Sequence, residues 1–295
     1  MKLKHFLYLI MIIAMAISIS PLTLFSAENE TGAEIPDYSL TGRKDIPPEY
    51  TWRVEDIYPT LAEWEKANTQ VTEMMGQLET MSSGWTGSPK SMLALLDHVS
   101  TIFREMSKLI IYAELQGDSD LGNPLFQQMK GKAQNLNVQL DVKLAFMDAD
   151  VLKLGQEAFE QYVQKEPGLK PYSFQIEKTL REKTHILPVE EEKIYSYSGL
   201  FSNTPKDVSG ILNNVELPQP EITLPDGKKI TLNYANYALY RGDKNPAVRK
   251  LAMSTYWENH KKFENTFATL LNGAVNEHFF DAHIHHYTDC LESKL

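Results

Sequence analysis

A single cysteine, Cys290, in 295 residues leaves no intrachain disulfide and neither a four-cysteine nor a two-cysteine zinc finger, so the core must hold by packing alone. Basic side chains are the minority charge. Lys and Arg total 29 against 39 Asp and Glu, and the formal net charge of -10 argues against a nucleic-acid backbone as partner. No Gly-x-Ser-x-Gly elbow occurs, because Ser198-Gly199 and Ser209-Gly210 lack its preceding glycine, and Gly-rich phosphate loops are missing too. His-Glu-x-x-His is absent from these residues: Glu277 precedes His278, and Ala282 stands four positions after it. Internal repeats and low-complexity tracts are not found. What is abundant is apolar material, 42% of residues against 23% charged, which excludes a disordered or fibrous polymer and fits one large domain or two smaller ones.

One long uncharged run stands out. Phe6 to Ala27 carries no charged side chain and follows Lys2, Lys4 and His5, the order of an export signal. The expectation is a signal peptide over residues 1–27, cut near Ser26-Ala27, and a periplasmic or extracellular destination. The alternative is an uncleaved anchor, since residues 6–25 are long enough to span a bilayer. A membrane is therefore expected as partner only through this segment. Residues 28–48, polar and punctuated by Gly32, Pro36, Gly42, Pro47 and Pro48, read as an extended linker.

Helical signals begin at Thr60, which with Glu63 has the spacing of a capping box, and Leu61, Trp64, Val71, Met74, Met75 and Leu78 recur at helical intervals. The pattern predicts a helix over about 61–81. Ser88-Pro89 opens a second, carried by Met92, Leu95, Leu96, Val99, Ile102, Phe103, Met106, Leu109, Ile110 and Ala113. Asn123-Pro124 opens a third, running to Met147. The fold class expected is mainly α, with an antiparallel helical N-terminal domain over 49–155. Short helices broken at Pro167-Gly168, Pro188 and Thr204-Pro205 follow over 156–215, the last start resembling a capping box with Asp207.

One β signal appears near 221–232. Glu221-Ile-Thr-Leu and Lys229-Ile-Thr-Leu alternate on either side of Pro225-Asp226-Gly227-Lys228, predicting a hairpin. After Asn245-Pro246 helical spacing returns through Val248, Leu251, Ala252, Tyr256, Phe263, Phe267, Leu270 and Leu271 and is expected to run on past Gly273 to the last residue, so the chain reads as interrupted inside a helix. Residues 216–295 would thus hold the hairpin and the first helices of a further, truncated domain.

Four of the eight histidines, His278, His283, His285 and His286, cluster with Glu277, Asp281, Asp289 and Cys290. On a helix His278, Asp281 and His285 share a face, three ligands of zinc-compatible type, and His286 and Cys290 form a second pair. Without the matching motif geometry a histidine-rich surface is the preferred reading. Cys290 beside His286 lacks a visible oxyanion site and reads as a small buried hydrophobe. Glu190, Glu191 and Glu192 sit in a first helical turn, where the helix dipole accounts for them. Tyr195, Tyr197, Tyr234, Tyr237 and Tyr240 suit either a peptide groove or ordinary packing. No catalytic, cofactor-binding or metal residue is assigned.

Ile46-Pro-Pro-Glu-Tyr-Thr-Trp52, Glu55-Asp-Ile-Tyr58, Glu63-Trp64, Asp226-Gly227, the run Asp243 to Ala252 with Pro246 and Arg249, Phe263-Glu-Asn265, Thr269-Leu-Leu-Asn272, Ala282, Tyr287 and Leu291-Glu292 together resemble, in order and spacing, the oligoendopeptidase F family of thimet-oligopeptidase-like zinc metallopeptidases. The resemblance runs over about residues 45–295 and concerns the N-terminal portion of such enzymes. It implies helical domains enclosing a channel for short peptides, and zinc held by a His-Glu-x-x-His helix with a downstream glutamate. None of those positions maps onto a residue here, so zinc is expected of the full-length family enzyme and not of this chain. The resulting expectation is the N-terminal part of an exported zinc oligopeptidase, inactive as given. The alternatives are a non-catalytic exported peptide-binding module and a retained half that works with a separate catalytic chain.

Overall fold

The protein, seen in a computed structural model, is described for Tyr38 and residues 41–295; the expected export segment and most of the 28–48 linker lie outside the described residues. The chain divides at Gly42, and the unit Arg43–Leu295 holds the helices and strands of the described residues. Among the described residues no helix is long and apolar enough to cross a membrane.

Helices α1 (Leu61–Ser82), α2 (Pro89–Ser119) and α3 (Pro124–Leu144) form the larger core, and each starts where its local chemistry dictates. The Thr60 hydroxyl accepts from the Glu63 N–H at 3.2 Å. Ser88 and Ser91 exchange both bonds of a capping box, and the Asn123 side chain accepts from the Leu125 N–H at 3.0 Å. Pro89 and Pro124 occupy first-turn positions whose missing N–H groups leave nothing unsatisfied. The apolar stripe of α2 then buries Met92, Leu95, Val99, Ile102, Met106 and Leu109. Two fully buried tryptophans cross-link the layer: the Trp64 indole donates to the Leu109 carbonyl at 3.0 Å, and Trp85, between α1 and α2, donates to the Asp150 carboxylate at 3.0 Å.

The third helix stops at Leu144 rather than running to Met147. The chain breaks at Ala145 and restarts as α4 (Phe146–Leu154), which sets Phe146 edge-on to Trp85 at 6.1 Å. Then come α5 (Gln156–Lys165), a 3₁₀ segment Pro167–Tyr172, α6 (Ser173–Arg181), α7 (Val189–Ser196) and α8 (Thr204–Ile211). The capping box expected at Thr204 does not form. Asn203 is the cap, without a side-chain bond, and Asp207 instead lies 3.8 Å from Lys130 of α3.

A π turn, Leu212–Glu216, leads into strands β1 (Glu221–Thr223) and β2 (Lys229–Thr231), antiparallel with Ile222 opposite Ile230. Both isoleucines point inward, while Glu221 and Lys229 pair outside at 3.0 Å. Gly227, at φ 86°, supplies the left-handed residue that closes the turn. Helices α9 (Tyr234–Tyr240) and α10 (Pro246–Lys261) cover the hairpin, completing a second core of Ile222, Ile230, Leu232, Tyr237, Val248 and Ala252.

The run after Asn245 is two helices, not one: it breaks at Lys262-Phe263 and resumes as α11 (Glu264–Ile284). Nor does it reach the last residue. The His286 N–H bonds to the His283 carbonyl at 3.2 Å and the Tyr287 N–H to the Ala282 carbonyl at 2.9 Å, with His286 at φ 62°. This is a Schellman cap in which histidine takes the position usually given to glycine. A side chain there is strained by about 1 kcal/mol, so His286→Gly is expected to raise the unfolding midpoint by about 2 °C in a thermal melt. An unchanged or lower midpoint would show the cap to be unstrained.

Candidate functional site

A broad open groove lies where α8 and the π turn face α10 and α11. Its floor is an aromatic ladder contributed chiefly by one face of α10. Tyr237 of α9 stacks on Tyr256 at 4.0 Å, Tyr256 lies 4.1 Å from the His260 ring, and His260 stacks on Phe267 of α11 at 5.6 Å. Tyr256 and His260 stand four residues apart and so share the same side of α10. Trp257 packs edge-on against both Tyr237 and Tyr256, and its indole N–H donates to the Tyr237 hydroxyl at 3.1 Å. Burial raises the Tyr256 phenol above its ordinary range, with the neighbouring Tyr234 and Tyr237 adding to it.

Across from the ladder, Asn213 of the π turn approaches His260 Nε2 at 3.2 Å and donates its amide to the Ser209 carbonyl at 2.8 Å. His260 Nδ1 donates to the Tyr256 carbonyl at 2.9 Å, which orients the imidazole. A cavity of about 770 Å³ results, walled by Pro205, Trp257, Phe267 and Leu271, with Lys206, Lys261 and Glu264 as its charged members. Two further hollows adjoin it. One of about 340 Å³ shares Asn213, Tyr256 and His260 and runs toward Asn233 and Gln219; another of about 550 Å³ shares Pro205 and Leu270 and runs toward Asn276 and Phe280. Pockets of this size with apolar walls and a few fixed amides suit side chains of a bound ligand.

The histidine cluster is split. Asp281 and His285 meet, His285 Nδ1 lying 3.4 Å from the Asp281 carboxylate, but His278 is exposed beside Glu277. Among the described residues no group of three or more His, Cys, Asp or Glu side chains gathers as a metal site. His286 lies past the end of α11, so it and Cys290 lose the helical spacing that would pair them. Cys290 is half-buried, less enclosed than expected of a small core hydrophobe. Glu190 pairs with Lys193 at 2.8 Å, and Glu192 accepts the Leu187 N–H at 2.9 Å, capping α7 as the first-turn position suggests. The tyrosines do not share one groove: Tyr237 and Tyr240 belong to the hairpin core, Tyr195 bonds Asp281, and Tyr197 and Tyr234 are exposed. Tyr256, Trp257, His260 and Phe267 were missed as site residues. Their signal was present, because three aromatic rings within five positions exceed what a helix packing by one stripe needs.

Three comparisons agree with this architecture. A family model described as Oligopeptidase F matches residues 150–218. Oligopeptidase PepF of Bacillus subtilis is 27% identical over 269 residues, 91% of this chain and 39% of its own length. A plasmid-borne oligoendopeptidase F of Lactococcus lactis subsp. cremoris is 28% identical over 254 residues, 86% of this chain and 42% of its own. The crystal structure of oligoendopeptidase-F from Enterococcus faecium superposes with a TM-score of 0.74 at 24% identity, covering 80% of this chain and 47% of that one, which establishes a shared fold. The chain spans about two fifths of the length of the curated relatives it matches. The chain is similar to oligoendopeptidase F proteins, and the likeness covers their N-terminal portion.

Proposed function

We propose that this chain supplies the peptide-engaging N-terminal portion of an exported oligoendopeptidase F-type zinc peptidase, and that these 295 residues by themselves hydrolyse no peptide. The observation carrying the reading is the aromatic groove between α8 and α11, joined to relatives whose names denote oligopeptidases. Trp257, Phe267 and Leu271 offer apolar contact to peptide side chains.

Zinc does not fit the residues present. The closest gathering of donors, Glu192, Asp281 and His285, is spent on the Leu187 amide, the Lys294 ammonium and the Asp281 carbonyl. No step is therefore derived through a metal. The chemistry that needs one is assigned to the length that relatives have and this chain does not match, whether that portion is supplied in the same polypeptide or another. The exposed pair Val275 and Phe279, four residues apart along α11, is the surface such a portion would cover. The division of domains near residue 215 and removal of residues 1–27 on export belong to the same proposal, the latter checked by mass spectrometry of the mature N-terminus.

The test uses the 295-residue chain and quenched fluorescent peptides of about ten residues, with and without zinc. Expected are no turnover, a change in tryptophan emission on adding apolar peptides, loss of that change in Trp257→Phe, and about tenfold weaker binding in His260→Ala. Chelator-sensitive cleavage overturns the inactivity. Absence of binding overturns the groove.

A further inference from the structure

Helix α11 forms one wall of the groove and buries little of its own surface. Among its residues only Ala282 is buried, and it crosses α8 closely at Gly273, where a Cβ would stand 3.0 Å from Pro205 Cγ. Its C-terminal end is fastened differently, by polar groups from three other segments. The His285 carbonyl accepts from Nδ1 of His185 at 2.8 Å, and the His185 ring stacks on Tyr287 at 3.8 Å. Asp281 accepts from the Tyr195 hydroxyl of α7 and from Lys294 Nζ at 2.8 Å. His285 lies edge-on to the Tyr195 ring at 4.4 Å, with its Nε2 3.9 Å from Glu192.

The orientation of His285 decides what a proton does there. Nδ1 donates to the Asp281 carbonyl at 2.9 Å, which leaves Nε2 as the titrating nitrogen, facing the Glu192 carboxylate. When Nε2 carries a proton, the ring is a cation between two carboxylates. When it does not, a nitrogen lone pair faces a carboxylate. The side chains involved are enclosed, with His285 13%, Asp281 17% and Glu192 20% exposed, so solvent screens the contacts weakly.

We propose that His285 is a pH-operated latch, whose imidazolium, clasped between Glu192 of α7 and Asp281 of α11, fastens the C-terminal end of α11 and with it one wall of the groove. The latch does not depend on the function proposed above. The other titratable or charged groups around it are Glu277 on α11, Lys294 and Glu292 beyond it, His185 and Glu182 before α7, and Asp148 of α4 near Glu192. Glu192 chiefly, and then Asp281, outweigh burial and hold the His285 imidazole above the ordinary histidine value. A raised group stabilises fully below its unfolded value near 6.5, and the stabilisation fades as pH climbs through the folded value. Asp281 behaves oppositely: burial works against its charge, but hydrogen bonds from Lys294 and Tyr195 prevail and lower it, so its contribution fades only as pH falls below the carboxylate range. The latch is therefore closed between about pH 5 and 6.5 and opens on the alkaline side.

Hydrogen exchange followed by mass spectrometry on the full chain at pH 6 and pH 8.5, corrected for intrinsic exchange rates, tests this. Segment 276–288 is expected to lose about tenfold in protection at the higher pH, while amides of α2 keep theirs. His285→Gln should be open at both pH values, and Glu192→Gln should flatten the dependence. The variants are independent, so misfolding of one leaves the other as the test. Equal corrected protection of 276–288 at both pH values in the wild type overturns the latch, as does a full pH dependence that survives in a folded variant.

Discussion

Trp64→Ala is expected to lower the unfolding free energy by about 4 kcal/mol, enough to leave a marginal domain largely unfolded. The side chain is fully buried among α1, α2 and α3, so truncation opens a void that neighbouring helices fill only in part. It also deletes the hydrogen bond to the Leu109 carbonyl, which spans 45 residues of sequence and ties the first helix to the middle of the second. Trp64→Phe keeps much of the volume and loses the indole N–H, and about 2 kcal/mol is expected for it. Urea titration followed by circular dichroism at 222 nm measures both. A loss under 1 kcal/mol for the alanine variant would mean that the helical layer tolerates a cavity at its centre, contrary to the packing described.

The same layer shows which features were legible in the sequence. Ser88-Pro89, Asn123-Pro124 and Asn245-Pro246 announce helices from within four residues, because a cap is a contact between near neighbours, and all three helices start there. The hairpin was legible for a related reason: alternation and a glycine turn are local. Stops were harder. The break at Ala145 follows from Phe146 turning onto Trp85, 61 positions earlier, and the end of α11 follows from a histidine in a backbone conformation its type seldom takes. Nothing nearby marks either one.

The candidate site was half visible. The spacing of Asp281 and His285 put them on one helix face, and they do meet. What turns the pair into a latch, Glu192 and Tyr195, comes from a helix some 90 positions earlier, and only tertiary structure joins them. The groove required the π turn, whose Asn213 reaches His260 across 47 residues. A π turn has no composition signal comparable to a proline or a glycine. Family resemblance supplied the fold and the oligopeptidase connection, whereas the groove and the latch depend on side chains of this chain.

Tyr256→Ala is the variant expected to separate the groove from the rest of the molecule. Tyr256 stacks on Tyr237 from below the hairpin, touches Trp257 edge-on and abuts His260, so one ring joins the hairpin core to the groove floor. Aromatic pairs are worth about 1 kcal/mol each beyond burial, and removing a half-buried tyrosine with three such partners is expected to weaken this region by about 3 kcal/mol. The helical layer shares none of these contacts. Hydrogen exchange should therefore show lost protection across 221–232 and α10, unchanged protection across α2, and apolar peptide binding weakened tenfold or more. Tyr256→Phe keeps the stacking geometry and is expected to behave nearly as wild type in both measurements. If the alanine variant instead leaves hairpin protection and peptide affinity intact, the ladder is not what shapes the groove. If it unfolds α2 as well, the two cores are one cooperative unit, and the groove has no stability of its own to be tuned.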